Sequence, residues 1–174
     1  MQFGLKHPDF RPWTGKGPTH EPALSPPVVS ADENPPRPPF TVSSGSGRHS
    51  VECFCTSLGR DVCLCFSGGE KPHIGAVALA EPCPSMAQNG KTSASASVLC
   101  VTGHKDDMLV REGALRVASA LGQRAVVMAG LHIDDASPED IDELTRNFYL
   151  TLAAALQRLT QKDDAGQKSF HNSL

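Results

Sequence analysis

Val98-Leu99-Cys100-Val101-Thr102-Gly103-His104-Lys105-Asp106-Asp107 is an apolar run that stops at a glycine; a histidine, a lysine and two aspartates follow before a helical pattern begins. The reading is a strand that delivers polar side chains at its carboxyl end, directly against the N-terminus of a helix. Such a junction offers free backbone N–H groups and a positive dipole end, which suits an anion such as phosphate. Downstream, Ala125-Val126-Val127-Met128-Ala129-Gly130-Leu131-His132-Ile133-Asp134-Asp135 repeats the arrangement, and Gly68-Gly69-Glu70-Lys71-Pro72-His73-Ile74-Gly75 is a shorter version upstream. His73, His104 and His132 in three comparable settings point to one shared site.

The segments around these junctions alternate in the way a sheet requires. Val51–Thr56 and Val62–Phe66 flank a glycine turn and predict a hairpin. With a three-residue loop, Cys53 would face Cys65 and Cys55 would face Cys63, with all four sulfurs on one face. Residues 74–80 and 92–101 predict two further strands, separated by a loop over 82–91. A helix is expected over about 107–121, where Val110, Ala114, Val117, Ala118 and Leu121 form one apolar stripe. Asp106 or Asp107 can cap it and Gly122 can end it. Residues 124–128 are the fifth strand. Ser137-Pro138-Glu139-Asp140 then opens a helix with an N-cap, a first-turn proline and early acids; Ile141, Leu144, Phe148, Leu152, Leu156 and Leu159 mark its apolar face.

The predicted order is ββββαβα. It describes an α+β domain over 48–163, a single mixed sheet of about five strands covered by two helices, with four strands in a meander before the αβα unit. If both helices lie on one side, the other side of the sheet stays free for a homodimer. Ten of the 14 prolines precede residue 41, and Ser43-Ser44-Gly45-Ser46-Gly47 has the composition of a flexible linker. Residues 1–47 are therefore expected to be a proline-rich disordered tail, with or without a polyproline II partner for Pro35-Pro36-Arg37-Pro38-Pro39. Residues 164–174 are expected to be a flexible C-terminal tail.

Composition excludes some classes of function. A formal charge of −3 gives no electrostatic footprint for nucleic acid. No apolar run is long enough to span a membrane, and the N-terminus lacks the apolar core of a secretory signal. Four of the six cysteines sit in strand patterns rather than in a disulfide framework, which suggests free thiols in a cytoplasmic protein. None of them sits at a helix N-terminus, so nucleophilic thiol catalysis is not supported.

The junctions admit several readings. In the phosphate reading, Gly103 permits close backbone approach and Lys105 supplies a point charge. In the bland reading the aspartate pairs are helix caps and the histidines are loop residues. The matched spacing His104-Lys105-Asp106 and His132-Ile133-Asp134, with His73, raises the site reading level with the bland one. A metal reading would use His73, His104 and His132 with Asp134 to hold Zn²⁺ for hydrolysis, although no local His-x-x-x-His or Cys-x-x-Cys spacing supports it.

The stretches Gly69–Ala76, Gly103–Asp107 and Ala129–Asp134 resemble the motifs of the prenylated-flavin chaperone family typified by LpdD, and the helix start after Ser137, with Asn147, fits the same pattern. The resemblance covers about residues 49–160. Thr102 departs from it, since a proline is expected before Gly-His-Lys, and so does the cysteine-rich hairpin. It implies a non-catalytic protein that binds prenylated FMN (or FMN) and passes it from a UbiX-type flavin prenyltransferase to a UbiD-type decarboxylase. His73, Gly103, His104, Lys105, Asp106, His132 and Asp134 would then line the cofactor site, with the third strand and Met128 as candidates for an apolar wall. A protein-assembly chaperone without a small ligand is the remaining alternative.

Overall fold

In the computed structural model residues 37–86, 91–103 and 105–161 are described. Their elements are β1 (Phe40–Ser44), a 3-10 turn (Gly47–His49), β2 (Val51–Leu58), β3 (Asp61–Gly69), β4 (Ala76–Pro84), β5 (Thr92–Cys100), α1 (Asp107–Leu121), β6 (Ala125–His132) and α2 (Pro138–Thr160). They form one mixed sheet in the order β1-β2-β3-β6-β4-β5. The α+β class and the single helix-covered sheet agree with the sequence reading. The proline-rich segment before residue 37, the C-terminal segment 164–174 and His104 lie outside the described residues.

Six strands replace the expected five. The additional one, β1, falls inside residues 1–47, which were expected to be tail. Phe40 and Val42 alternate inward and pack on the core, while Thr41 and Ser43 face outward. Five residues with two apolar side chains carry little signal alone; pairing with β2 along its whole length makes them a strand.

The meander is also corrected. β6 is inserted between β3 and β4, parallel to β3 and antiparallel to β4. Since β4 is antiparallel to both β5 and β6, those two strands are parallel, and α1 carries the chain across β4 from one to the other, a βαβ crossover. The physical reason is in the residues: Ala125 to Ala129 is apolar at every position, the pattern of a central strand flanked on both sides. β4 continues beyond its pairing with β6, so Glu81–Pro84 pair only with β5 and the expected loop is shorter. Pro82 and Pro84 are tolerated there because that side of the strand has no ladder to break.

Both helices cover one face. Phe148 of α2 meets Phe66 of β3 with ring centroids 4.5 Å apart. A Cβ on Gly113 of α1 would lie 3.4 Å from both Phe148 and Val127. The core grades from large to small along the sheet: Leu64 and Phe66 of β3 share the layer with Phe148, Leu152 and Leu159 of α2, whereas Ala76, Ala78 and Ala80 of β4 lie under Ala114, Val117 and Ala118 of α1. Small against small lets α1 sit close to the strands it bridges. Gly122 ends α1 in the left-handed conformation. Ser137 and Asp140 form a reciprocal capping box on α2, as the sequence signals, but Ile141 stays outside the core.

The hairpin register differs from the expected one by a single residue. Leu58 pairs with Asp61, leaving a two-residue turn in which Gly59 has φ +60°. Cys53 then opposes Phe66 and Cys55 opposes Leu64, both on the covered face, while Cys63 and Cys65 point to the other face. A one-residue slip exchanges faces because side chains alternate with period two.

Candidate functional site

The carboxyl ends of β3 and β6 lie side by side, with Gly69 opposite His132. Glycines let the intervening segments press together. A Cβ on Gly130 would fall 1.8 Å from the His73 carbonyl oxygen, and one on Gly69 would fall 2.1 Å from that of His132. On Gly75 it would sit 2.0 Å from the Asp106 carboxylate. No real Cβ fits at such distances, so these three positions bring together the loop around His73, the start of α1 and the end of β6.

At the centre stand two histidines. The rings of His73 and His132 meet edge to face, centroids 5.8 Å apart. His73 Nδ1 donates to the Lys71 carbonyl at 3.1 Å, which turns Nε2 toward Asp106 Oδ2, 4.0 Å away. His132 Nε2 donates to Asp134 Oδ1 at 3.0 Å. Each histidine therefore has a carboxylate nearby, hydrogen-bonded for His132 and 4.0 Å away for His73.

Asp106 is 6% exposed and occupies the N-cap position of α1, yet its side chain makes no capping bond. It accepts instead from the Leu131 N–H at 3.3 Å, tying the start of α1 to β6. Asp134 also departs from the capping reading: it lies before α2, which Ser137 caps. Its carboxylate pairs with Lys71 and with His132, and these contacts, Lys71 first, hold it below the usual aspartate range. The same pair pushes the Lys71 ammonium up.

Beside this pair runs an exposed charged network. Arg48 lies 3.6 Å from Glu70 and donates to the Asp134 carbonyl at 3.3 Å, and Glu70 accepts from the Asp134 N–H. His49 binds Asp140 at 2.6 Å, which drives that carboxylate down to about 2. Asp135, with φ +49°, makes the tight turn between β6 and α2.

On the helix-free face, next to His73, is an apolar concavity of about 210 Å³ lined by Phe54, Cys65, Ile74 and Met128. Pockets that enclose a small ligand run to roughly 300–1,000 Å³. This one is therefore a wall on which a flat ring could rest, not a chamber that would trap it. Two larger concavities, of about 590 and 420 Å³, lie around Pro82, Gly122 and Arg124 at the opposite end of the sheet, away from the histidines.

Of the residues singled out in the sequence, His73, Asp106, His132 and Asp134 are brought together. Gly103 forms the turn into α1 with φ +88° and open space where a Cβ would be. Lys105 is exposed, and no ion pair holds it among the described residues. No group of three or more His, Cys, Asp or Glu side chains is placed to share a metal ion among the described residues. Sequence reasoning missed Arg48, Glu70 and Lys71, which reach Asp134 only through the parallel β3–β6 register, and also missed Phe54 and Ile74. The signal for the last two was an apolar residue at an outward position of a strand and another directly after His73.

Comparison with curated proteins finds no match. Residues 45–160 match the family model described as the prenylated flavin chaperone LpdD-like domain. The chain belongs to the LpdD-like prenylated flavin chaperone family.

Proposed function

We propose that this protein is a non-catalytic cytoplasmic carrier that accepts prenylated FMN from a UbiX-type prenyltransferase and delivers it to a UbiD-type decarboxylase. The observation that carries this reading is the apolar concavity beside His73 on the helix-free face, shallow enough for a ligand to be released. His73, Gly103, His104, Lys105, Asp106, His132 and Asp134 would line the cofactor site. The isoalloxazine ring would rest on Met128, Phe54 and Ile74. Lys71 is tied to Asp134, so Lys105 is the cation available to the phosphate, next to the first turn of α1. Asp106 would act by position, holding His73 and the Leu131 amide in register.

When bound, the prenylated flavin supplies chemistry that belongs to decarboxylation, so the carrier's residues need only hold it and keep it accessible. Phe54 at 44%, Leu79 at 50% and Leu99 at 79% exposure extend the apolar character of the open face beyond the concavity. Such a face suits transient docking of the decarboxylase, or of a second copy of the chain before hand-over. Among the described helices none is long and apolar enough to cross a membrane.

The test is anaerobic purification after co-expression with a prenyltransferase, followed by absorbance and the mass of the released ligand. Flavin-like absorbance with the mass of prenylated FMN is expected, and retention should fall in Lys105→Ala and His104→Ala. A colourless protein from cells shown to make the cofactor would refute the carrier. Equal retention in both variants would refute those two assignments.

A further inference from the structure

Cys63 and Cys65 stand on the helix-free face of β3, half-buried, with their sulfurs 3.9 Å apart. Met128 lies beside Cys65 in the parallel ladder, on the same face, and both line the concavity next to His73. Burial, reinforced by the neighbouring Cys65 thiol, pushes the Cys63 thiol up to about 11. Two thiolates that share a cation at about 2.3 Å each, the length of a Zn–S bond, subtend roughly 115° at the metal when their sulfurs are 3.9 Å apart. That angle lets both sulfurs bind one metal ion, in trigonal or tetrahedral geometry alike. Zinc asks for four ligands, whereas two thiolates and a thioether are the donors a soft monovalent ion takes.

We propose that Cys63, Cys65 and the Met128 thioether form a low-coordinate site for a soft d10 cation of the Cu(I) class. On binding, two S–H bonds break, two S–Cu bonds form, and two protons leave to solvent; no electron is transferred. The site does not depend on the flavin reading.

The probe is Cu(I) itself, titrated anaerobically into the full chain carrying Cys83→Ser and Cys100→Ser, against a chromophoric Cu(I) chelator. One equivalent should be withheld from the chelator, with thiolate-to-metal absorbance in the ultraviolet. Cys63→Ser and Cys65→Ser should each abolish that absorbance, and Met128→Leu should weaken retention while the absorbance persists. Complete stripping by the chelator, or unchanged retention in the Cys63→Ser/Cys65→Ser double variant, would overturn the proposal. A second readout needs no substitution at the site: bound Cu(I) should slow alkylation of Cys63 and Cys65, followed peptide by peptide, and unchanged alkylation would also overturn it.

Discussion

On the covered face of the first hairpin, Cys53 and Cys55 are sealed under α2, and burial raises both thiols, Cys55 to about 11. On the opposite face of that hairpin, Cys63 and Cys65 of β3 stand half-buried, Cys65 beside Phe54 and Met128 at the edge of an apolar concavity. The residue type and the hairpin are the same, yet one pair is core and the other is surface. The covered face is filled by Phe66, Phe148 and Leu152 and answers to packing. The open face carries apolar side chains that nothing in the chain covers among the described residues, so its composition answers to something other than folding. In the proposed carrier, stability and ligand holding are divided between the two faces, and they meet where β3 and β6 end.

Substitutions can separate the two. Phe148→Ala, in the fully covered layer, should cost about 3–5 kcal/mol in urea unfolding, while the fraction that stays folded keeps its affinity for cofactor. Gly130→Ala acts where the faces meet. Its Cβ would fall on the His73 carbonyl, so a loss of about 1–3 kcal/mol and loss of cofactor retention are both expected. Met128→Ala should sharpen the contrast, costing about 1 kcal/mol or less yet reducing cofactor retention. If Met128→Ala destabilised the fold as much as Phe148→Ala, the division would fail.

The smallest effect is expected in acid. Asp140 is held near 2 by His49 and by the Ser137 cap, below its ordinary value of about 3.9. A depressed carboxylate contributes stability that is fully present above the unfolded value and is lost as pH falls through the folded one. An acid titration of the melting temperature should therefore show a decline between about pH 4 and pH 2 that His49→Ala makes shallower. Identical curves for parent and variant would remove this contact from the account.

Much of this was legible in the sequence. Ser137-Pro138-Glu139-Asp140 announced the capping box, Gly122 the end of α1, and the spacing of Leu144, Phe148 and Leu152 the buried stripe, because each is a local rule. What escaped was non-local. The hairpin register hung on whether the turn held two or three residues, a difference that moved the cysteines to opposite faces. β6 joined β3 because its apolar run needs a neighbour on each side, and only that pairing brings Lys71 to Asp134 and Gly69 to His132. The histidines could be named from spacing, but the aim of Asp106, away from its own helix and toward Leu131 and His73, could not. Capping residues and site residues look alike until the strands are placed.

The most direct test of the central claim is where the ligand lands. Prenylated FMN titrated anaerobically into ¹⁵N-labelled protein should shift the amides of Ile74, Met128, Gly130 and Leu131, together with those of Gly103 and Lys105, and leave Gly122–Arg124 unmoved. Shifts centred on Pro82, Gly122 and Arg124 at the far end of the sheet, or no shifts at saturating ligand, would contradict a flavin held on the open face beside His73.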